Sequence, residues 1–111
     1  MTFIQMEQCG EIVKKYGFIN QREILIEECA ELIQAISKLK RNGKKTSRNF
    51  LEELADVEIM VEQMKQGLSY EERLEFVDVQ ELKIKRQIAR IEGNIEEWKK
   101  LHSERGVNDE H

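Results

Sequence analysis

Proline is absent from this chain of 111 residues, and glycine occurs only six times. A sandwich or barrel of many short strands needs far more turn-forming residues, so those folds are excluded. Aromatic residues make up 6% of the sequence and charged residues 36%. The abundance of Glu, Lys, Leu, Ile and Gln favours helix, and the length leaves room for one core. We therefore expect an all-α fold in a single domain.

Histidine and cysteine are also scarce, with two of each. His102 and His111 both lie near the C-terminus, which excludes Ser-His-Asp triads, HExxH zinc sites and the Glu-x-x-His ligands of di-iron bundles. Cys9 and Cys29 form no CxxC pair, so we expect neither a zinc site nor a disulfide scaffold. A glycine-rich phosphate loop is missing too. Any chemistry must therefore be carried out by carboxylates, lysines and arginines.

Charge and hydropathy limit the partners of the chain. It has 22 acidic and 18 basic residues, a net charge of −4, whereas a general nucleic-acid binder is usually basic. No apolar run approaches the roughly 18–20 residues of a membrane span. The first ten residues contain Glu7 and lack the apolar core of a signal peptide. With two thiols expected to stay reduced, these features predict a cytoplasmic protein without nucleic-acid or membrane partners.

Caps and hydrophobic periodicity predict about four helices. They cover approximately residues 2–16, 20–41, 47–66 and 70–105. Gly17 and Gly67 end the first and third helices, as glycine commonly does. Asn20 and Ser69 open the second and fourth, each followed three residues later by a glutamate in the capping-box position. The polar stretch that follows, residues 106–111, is expected to be a disordered tail.

The fourth helix is too long for a compact domain of this size. Roughly 35 helical residues span about 50 Å, whereas such a domain has a radius of gyration of about 13 Å. An apolar seam with alternating spacings of four and three runs through Val77, Glu81, Ile84, Ile88, Ile91, Ile95, Trp98 and His102. Heptad seams of this kind pack against partner helices. The segment must therefore break near Gly93 or bury its seam in another subunit, and we expect a homodimer or homotetramer.

Acidic residues interrupt the apolar face of the second helix. On a helical wheel, the centre of that face is formed by Leu25, Cys29, Leu32, Ile36 and Leu39. Glu28 falls inside the apolar arc, between Ala35 and Leu39. Glu31 lies at its edge, about 60° away.

The third helix repeats this arrangement. Glu53 falls between Met60 and Met64 on its apolar arc, and Asp56 lies about 60° further round. Each helix thus has one acid within its apolar face and a second acid one turn along. If the two helices pack antiparallel, four carboxylates converge.

Four converging carboxylates need compensation. Like charges raise one another's pKa, and desolvating each ion costs several kcal/mol. Mg²⁺ or Mn²⁺ would compensate, because hard cations prefer oxygen ligands and commonly act with substrate phosphates. Glu58 and Glu81 also interrupt apolar faces, however. On the pattern alone, solvated faces with a few ion pairs therefore stay open as an alternative.

The acids stand in a recognisable order. Glu27-Glu28-Cys29-Ala30-Glu31 is followed, after 21 residues, by Glu53-Leu54-Ala55-Asp56. This order resembles the EExxE…ExxD signature of the MazG-like, all-α nucleoside triphosphate pyrophosphohydrolases. Tyr16-Gly17 followed by Gln21 also resembles the N-terminal stretch of that family. The resemblance covers roughly residues 10–92.

The resemblance implies a helical bundle that is completed by oligomerisation. It implies hydrolysis of a nucleoside triphosphate between the α- and β-phosphates, giving the monophosphate and pyrophosphate, as housekeeping of nucleotide pools. The Mg²⁺ ligands would be Glu28, Glu31, Glu53 and Asp56. Glu27 matches the additional acid of the signature and would orient or deprotonate the attacking water.

Basic residues would bind the phosphate tail. The family has basic residues on the helix after ExxD, which makes Lys85 and Arg86 the candidates, and Lys38 lies near the end of the second helix. The alternative for each is ordinary surface solubility. Nothing in the sequence selects a base or a sugar.

A second function class stays open, namely a non-enzymatic helical interaction module built on the heptads of the fourth helix. The two classes differ in their response to metal. A metal that binds only the native state raises the melting temperature, whereas a module without a metal site shows no such shift.

Overall fold

The computed structural model of the chain describes residues 1–102. Those residues form five helices and no strand: α1 (Phe3–Tyr16), α2 (Phe18–Asn42), α3 (Arg48–Gln66), α4 (Tyr70–Ile91) and α5 (Ile95–His102). The predicted all-α class is confirmed, with one helix more than expected. The predicted disordered tail, residues 106–111, lies outside the described residues.

Two helix starts lie where the sequence predicts them, and a serine side chain caps each one. The Ser47 hydroxyl accepts a hydrogen bond from the Phe50 backbone N–H at 3.1 Å. Ser69 and Glu72 form the predicted capping box at the start of α4, with side chain and backbone bonded reciprocally. These bonds satisfy backbone donors that otherwise have no partner in the first turn.

The start of α2 differs from the prediction. The helix begins at Phe18, two residues before Asn20, and has no side-chain cap. The reason is Gly17, whose φ of 93° lets the chain turn directly from α1 into α2. The Asn20 side chain instead donates a hydrogen bond to Gln21 Oε1 at 2.8 Å.

The described chain divides into two compact units, the first covering Met1–Leu68 and the second beginning at Ser69. In the first unit α3 packs along α2 and also against α1. In the second unit α4 packs against α5. The single domain that we expect from the sequence stays a prediction, because the described residues group into two compact units.

The core of the first unit is small. Its buried apolar residues are Cys9, Val13, Ala35, Leu39 and Met60. A polar contact ties the start of α2 to the end of α3, because the buried Gln21 Nε2 donates to the buried Gln63 Oε1 at 2.8 Å. Large aliphatic side chains on α2 and α3 stay exposed, namely Ile26, Ile33, Ile36, Leu51 and Leu54.

The second unit breaks the long predicted helix. Gly93, with a φ of 80°, follows the last turn of α4 and separates it from α5. Trp98 is therefore not on the seam of α4 but packs in a cluster with Leu82 and Ala89. The seam positions Ile95 and His102 have side chains outside the described set. Within residues 1–102, no helix has the length and apolar character needed to cross a bilayer.

Candidate metal centre

A short reversal of the chain brings α2 and α3 side by side. Gly43 ends α2 in the left-handed conformation, with a φ of 63°, and Ser47 opens α3 four residues later. A non-glycine residue rarely adopts the conformation of Gly43, so the Asn42-Gly43 pair marks this turn in the sequence. The two helices then run antiparallel, as the contact between Gln21 and Gln63 requires.

Three carboxylates meet across this helix pair. Glu28 of α2 and Glu53 and Asp56 of α3 each provide one carboxylate oxygen, and these oxygens lie within 4.8 Å of one another. Glu53 and Asp56 are three residues apart and so lie on one side of α3. Glu28 and Glu53 are half-buried, whereas Asp56 is exposed. The cluster therefore has two inner carboxylates and one at its mouth.

The two inner carboxylates each have an oxygen without a partner. Glu28 Oε2 and Glu53 Oε2 are shielded from solvent and accept no hydrogen bond. Native proteins pair nearly all buried polar atoms with protein groups, water or ions. Two buried carboxylate oxygens without a protein partner in one cluster therefore make this a candidate cation site.

The surroundings raise the pKa of both inner carboxyls. Burial is the main cause for Glu28, and the negative charges of Glu31, Asp56 and Glu27 add to it. Burial also raises the pKa of Glu53, followed by a hydrogen bond with the Glu31 carboxyl and the charges of Glu31, Asp56 and Glu28. Each charged neighbour that shifts the pKa of Glu28 or Glu53 is therefore itself an acidic residue.

The structure brings together three of the four predicted ligands. Glu31 shifts the pKa of both inner carboxyls but stands outside the group whose oxygens are mutually within 4.8 Å. Glu31 therefore lies at the edge of the cluster, and its role as a metal ligand stays a prediction. Glu27 is exposed and acts electrostatically on Glu28.

The predicted phosphate-binding cations have different surroundings. Lys38 is exposed on α2. Lys85, on α4, lies 2.9 Å from Glu81 Oε1 in an ion pair. Arg86 is only 1% exposed, so its guanidinium lies among protein groups and not on an open surface. A role in substrate binding stays a prediction for all three.

A cavity of about 480 Å³ between α1 and α3 was not expected from the sequence. Its lining consists of Met1, Gln5, Gln8, Cys9, Ile12, Ala55, Glu58 and Ile59. Ala55 and Ile59 lie beside Asp56 on α3, so the cavity adjoins the helix that carries two of the clustered acids. The one signal in the sequence was Glu58, which interrupts the apolar face of that helix.

The donor set of the cluster suits one hard cation. Oxygens bound to the same Mg²⁺ lie at most about 4.2 Å apart, twice the metal–oxygen distance. Oxygens already within 4.8 Å of one another need only small side-chain rotations to reach that geometry.

No family model, curated protein or solved structure matches this chain.

Proposed function

We propose that this protein is a Mg²⁺-dependent nucleoside triphosphate pyrophosphohydrolase, with Mn²⁺ as a possible substitute. It would cleave an NTP or dNTP between the α- and β-phosphates, as its resemblance to the MazG-like enzymes implies. The observation that supports this most is the pair of buried, unpartnered oxygens on Glu28 and Glu53. They belong to the two motifs that carry the resemblance.

The residues of the cluster would have different roles. Glu28, Glu53 and Asp56 would hold the cation directly, and Glu31 would complete or support this set. When bound, the cation neutralises the charge of the triphosphate and lowers the pKa of a coordinated water. Phosphoryl transfer requires little from a protein beyond positioning of the reactants and charge compensation.

Glu27 would take the proton of the attacking water, as the resemblance implies. It is exposed, and its charge raises the pKa of Glu28, so its carboxylate lies within electrostatic reach of the cluster. The water oxygen forms a bond to phosphorus as the anhydride bond breaks, and pyrophosphate leaves. Lys38 is one of the exposed bases on α2 and would meet the phosphate tail.

The test is release of pyrophosphate from a panel of NTPs and dNTPs with Mg²⁺, in the wild type and in Glu53→Gln. The matched control is Glu52→Gln, because Glu52 is the neighbouring acid on α3 and is paired with Arg48 at 2.9 Å. We expect turnover by the wild type and Glu52→Gln, and loss in Glu53→Gln and with EDTA. Turnover that survives both Glu28→Gln and Glu53→Gln, or no turnover on any nucleotide, contradicts the proposal.

A further inference from the structure

One face of α4 carries a continuous row of exposed apolar side chains. The row has seven positions with alternating spacings of four and three: Tyr70, Leu74, Val77, Glu81, Ile84, Ile88 and Ile91. We call these seven residues the α4 seam. Its six apolar members are between 48% and 81% exposed. Isolated exposed leucines are ordinary, but an apolar row along the whole of a 22-residue helix indicates an interaction surface.

The helix that packs on α4 does not cover the seam. Leu82 and Ala89 form the contact with Trp98 of α5. Each of these two residues follows a seam position and so points about 100° away from it. The second unit thus buries one face of α4 and leaves the neighbouring heptad face open.

The spacing identifies the kind of partner. An alternating four-three repeat keeps its apolar stripe facing a second helix over several turns, and three heptads of it form a coiled-coil seam. A partner sheet or a flat protein surface would not require this alternating four-three spacing. The occupant of the α4 seam is therefore another helix with the same repeat.

We propose that this helix is α4 of a second copy, paired antiparallel as a two-stranded coiled coil. In this register Leu74, Val77 and Glu81 face Ile91, Ile88 and Ile84 of the partner subunit. Every apolar residue from Leu74 to Ile91 then has an apolar or glutamate partner. The proposal is independent of the proposed enzymatic function.

The charges select the antiparallel orientation. In a parallel, in-register pair Glu81 meets Glu81 of the partner subunit inside the seam, which is unfavourable for two like charges. In the antiparallel pair Glu81 faces an isoleucine, and Lys85 of its own helix offsets its charge at 2.9 Å.

The positions that flank the seam agree with this orientation. Asp78 and Lys85 lie on the same flank, one on each side of the centre of the seam. Antiparallel pairing places Asp78 beside Lys85 of the partner subunit, and the two-fold symmetry makes this pair twice. Glu71 and Glu92 face each other only at the outer ends, where water screens them. A parallel pair would gain exposed Arg73–Asp78 contacts of the same small size, so the like charges at Glu81 decide between the two orientations.

The first test is the oligomeric state by analytical ultracentrifugation of the full chain. We expect an even-numbered assembly, and we expect Ile84→Asp to weaken its dissociation constant by at least about 100-fold, because both copies lose an apolar contact. The matched control is Val79→Asp, since Val79 is 37% exposed and lies on the face of α4 away from the seam. Circular dichroism checks that both variants stay helical. A monomeric wild type contradicts the proposal, as does equal assembly of both variants, which would place the contact elsewhere, for example on the exposed isoleucines of α2.

The second test is disulfide trapping, with Cys9 and Cys29 replaced by Ser. In the antiparallel pair the two copies of residue 77 are about 16 Å apart along the helix axis, too far for a disulfide. Val77→Cys alone should therefore not cross-link, whereas Val77→Cys together with Ile88→Cys should. Cross-linking by Val77→Cys alone indicates a parallel pair and overturns the proposed orientation.

Discussion

Glutamates interrupt apolar faces in both units of the molecule, with opposite results. In the first unit Glu28 and Glu53 are covered by a packed helix pair, and their inner oxygens have no partner. In the second unit Glu81 is exposed and paired with Lys85 one turn along. An acid within an apolar stripe thus becomes a candidate site only where a second helix covers it and no base lies within reach. The following predictions test this distinction, from the largest effect to the smallest.

The largest difference is expected in catalysis. Glu53→Gln should lower pyrophosphate release by more than about 100-fold, because it removes a proposed metal ligand and not merely a residue that would support one. Glu81→Gln makes the same chemical change on α4 and should leave the rate per active site within about two-fold. Equal losses in the two variants would mean that the cluster on α2 and α3 has no special role.

Metal binding, measured without any substrate, should distinguish the acids of the first unit from Glu81 of the second unit. Mg²⁺ or Mn²⁺ at about 100 times its dissociation constant should raise the melting temperature by about 10 °C or more. The shift should persist in Glu81→Gln and disappear in Glu28→Gln. A scan with EDTA sets the baseline, and a shift of equal size in all three proteins would place the metal outside the cluster.

The pH dependence of the metal-free protein should carry the signature of the raised pKa values. Burial and acidic neighbours raise the pKa of Glu28 and Glu53, so the native state binds more protons than the unfolded state between the ordinary glutamate pKa, about 4.3, and the raised values. The stability that Glu28 and Glu53 contribute is therefore fully present below the ordinary pKa of glutamate. It is lost as the pH rises through their raised pKa values.

The check is a series of urea unfolding curves from pH 4 to pH 8 in EDTA. Glu28→Gln should flatten the decline and unfold at a higher urea concentration than the wild type near pH 7, because it removes like-charge repulsion. Glu81→Gln should keep the slope of the wild type. If the wild type does not lose stability relative to Glu28→Gln as the pH rises over this range, the assignment of a raised pKa to Glu28 is contradicted.

The smallest effects belong to exposed ion pairs. Glu52 lies 2.9 Å from Arg48, one turn apart on α3, and such pairs contribute about 0.3–0.5 kcal/mol. Glu52→Gln should therefore lower the free energy of unfolding by that amount, and 0.5 M NaCl should reduce the difference. An effect above about 1 kcal/mol would mean that Glu52 has further contacts.

Local signals predicted most of the secondary structure. Ser47, Gly43 and the Ser69–Glu72 box act within a few residues of themselves, so their positions are readable without the fold. The start of α2 was missed because the short connection at Gly17 outweighs the weaker cap at Asn20. The position of Trp98 was missed because a helix break at Gly93 moves it off the seam, and a wheel assumes an unbroken helix.

The acids of the candidate site were readable in part. Helical periodicity places Glu28 and Glu53 within the apolar faces of two helices and Glu31 and Asp56 at the edges of those faces, and the resemblance singled these four acids out from Glu58 and Glu81. The amino-acid sequence by itself determined most of the helices and the caps at Ser47 and Ser69, because these depend on neighbours three or four residues away. Only the packing of α2 on α3 decided which carboxylate oxygens are buried without a partner and that Glu31 lies at the edge. Burial and distances of a few ångströms depend on how residues more than twenty positions apart meet, and no local pattern contains that information.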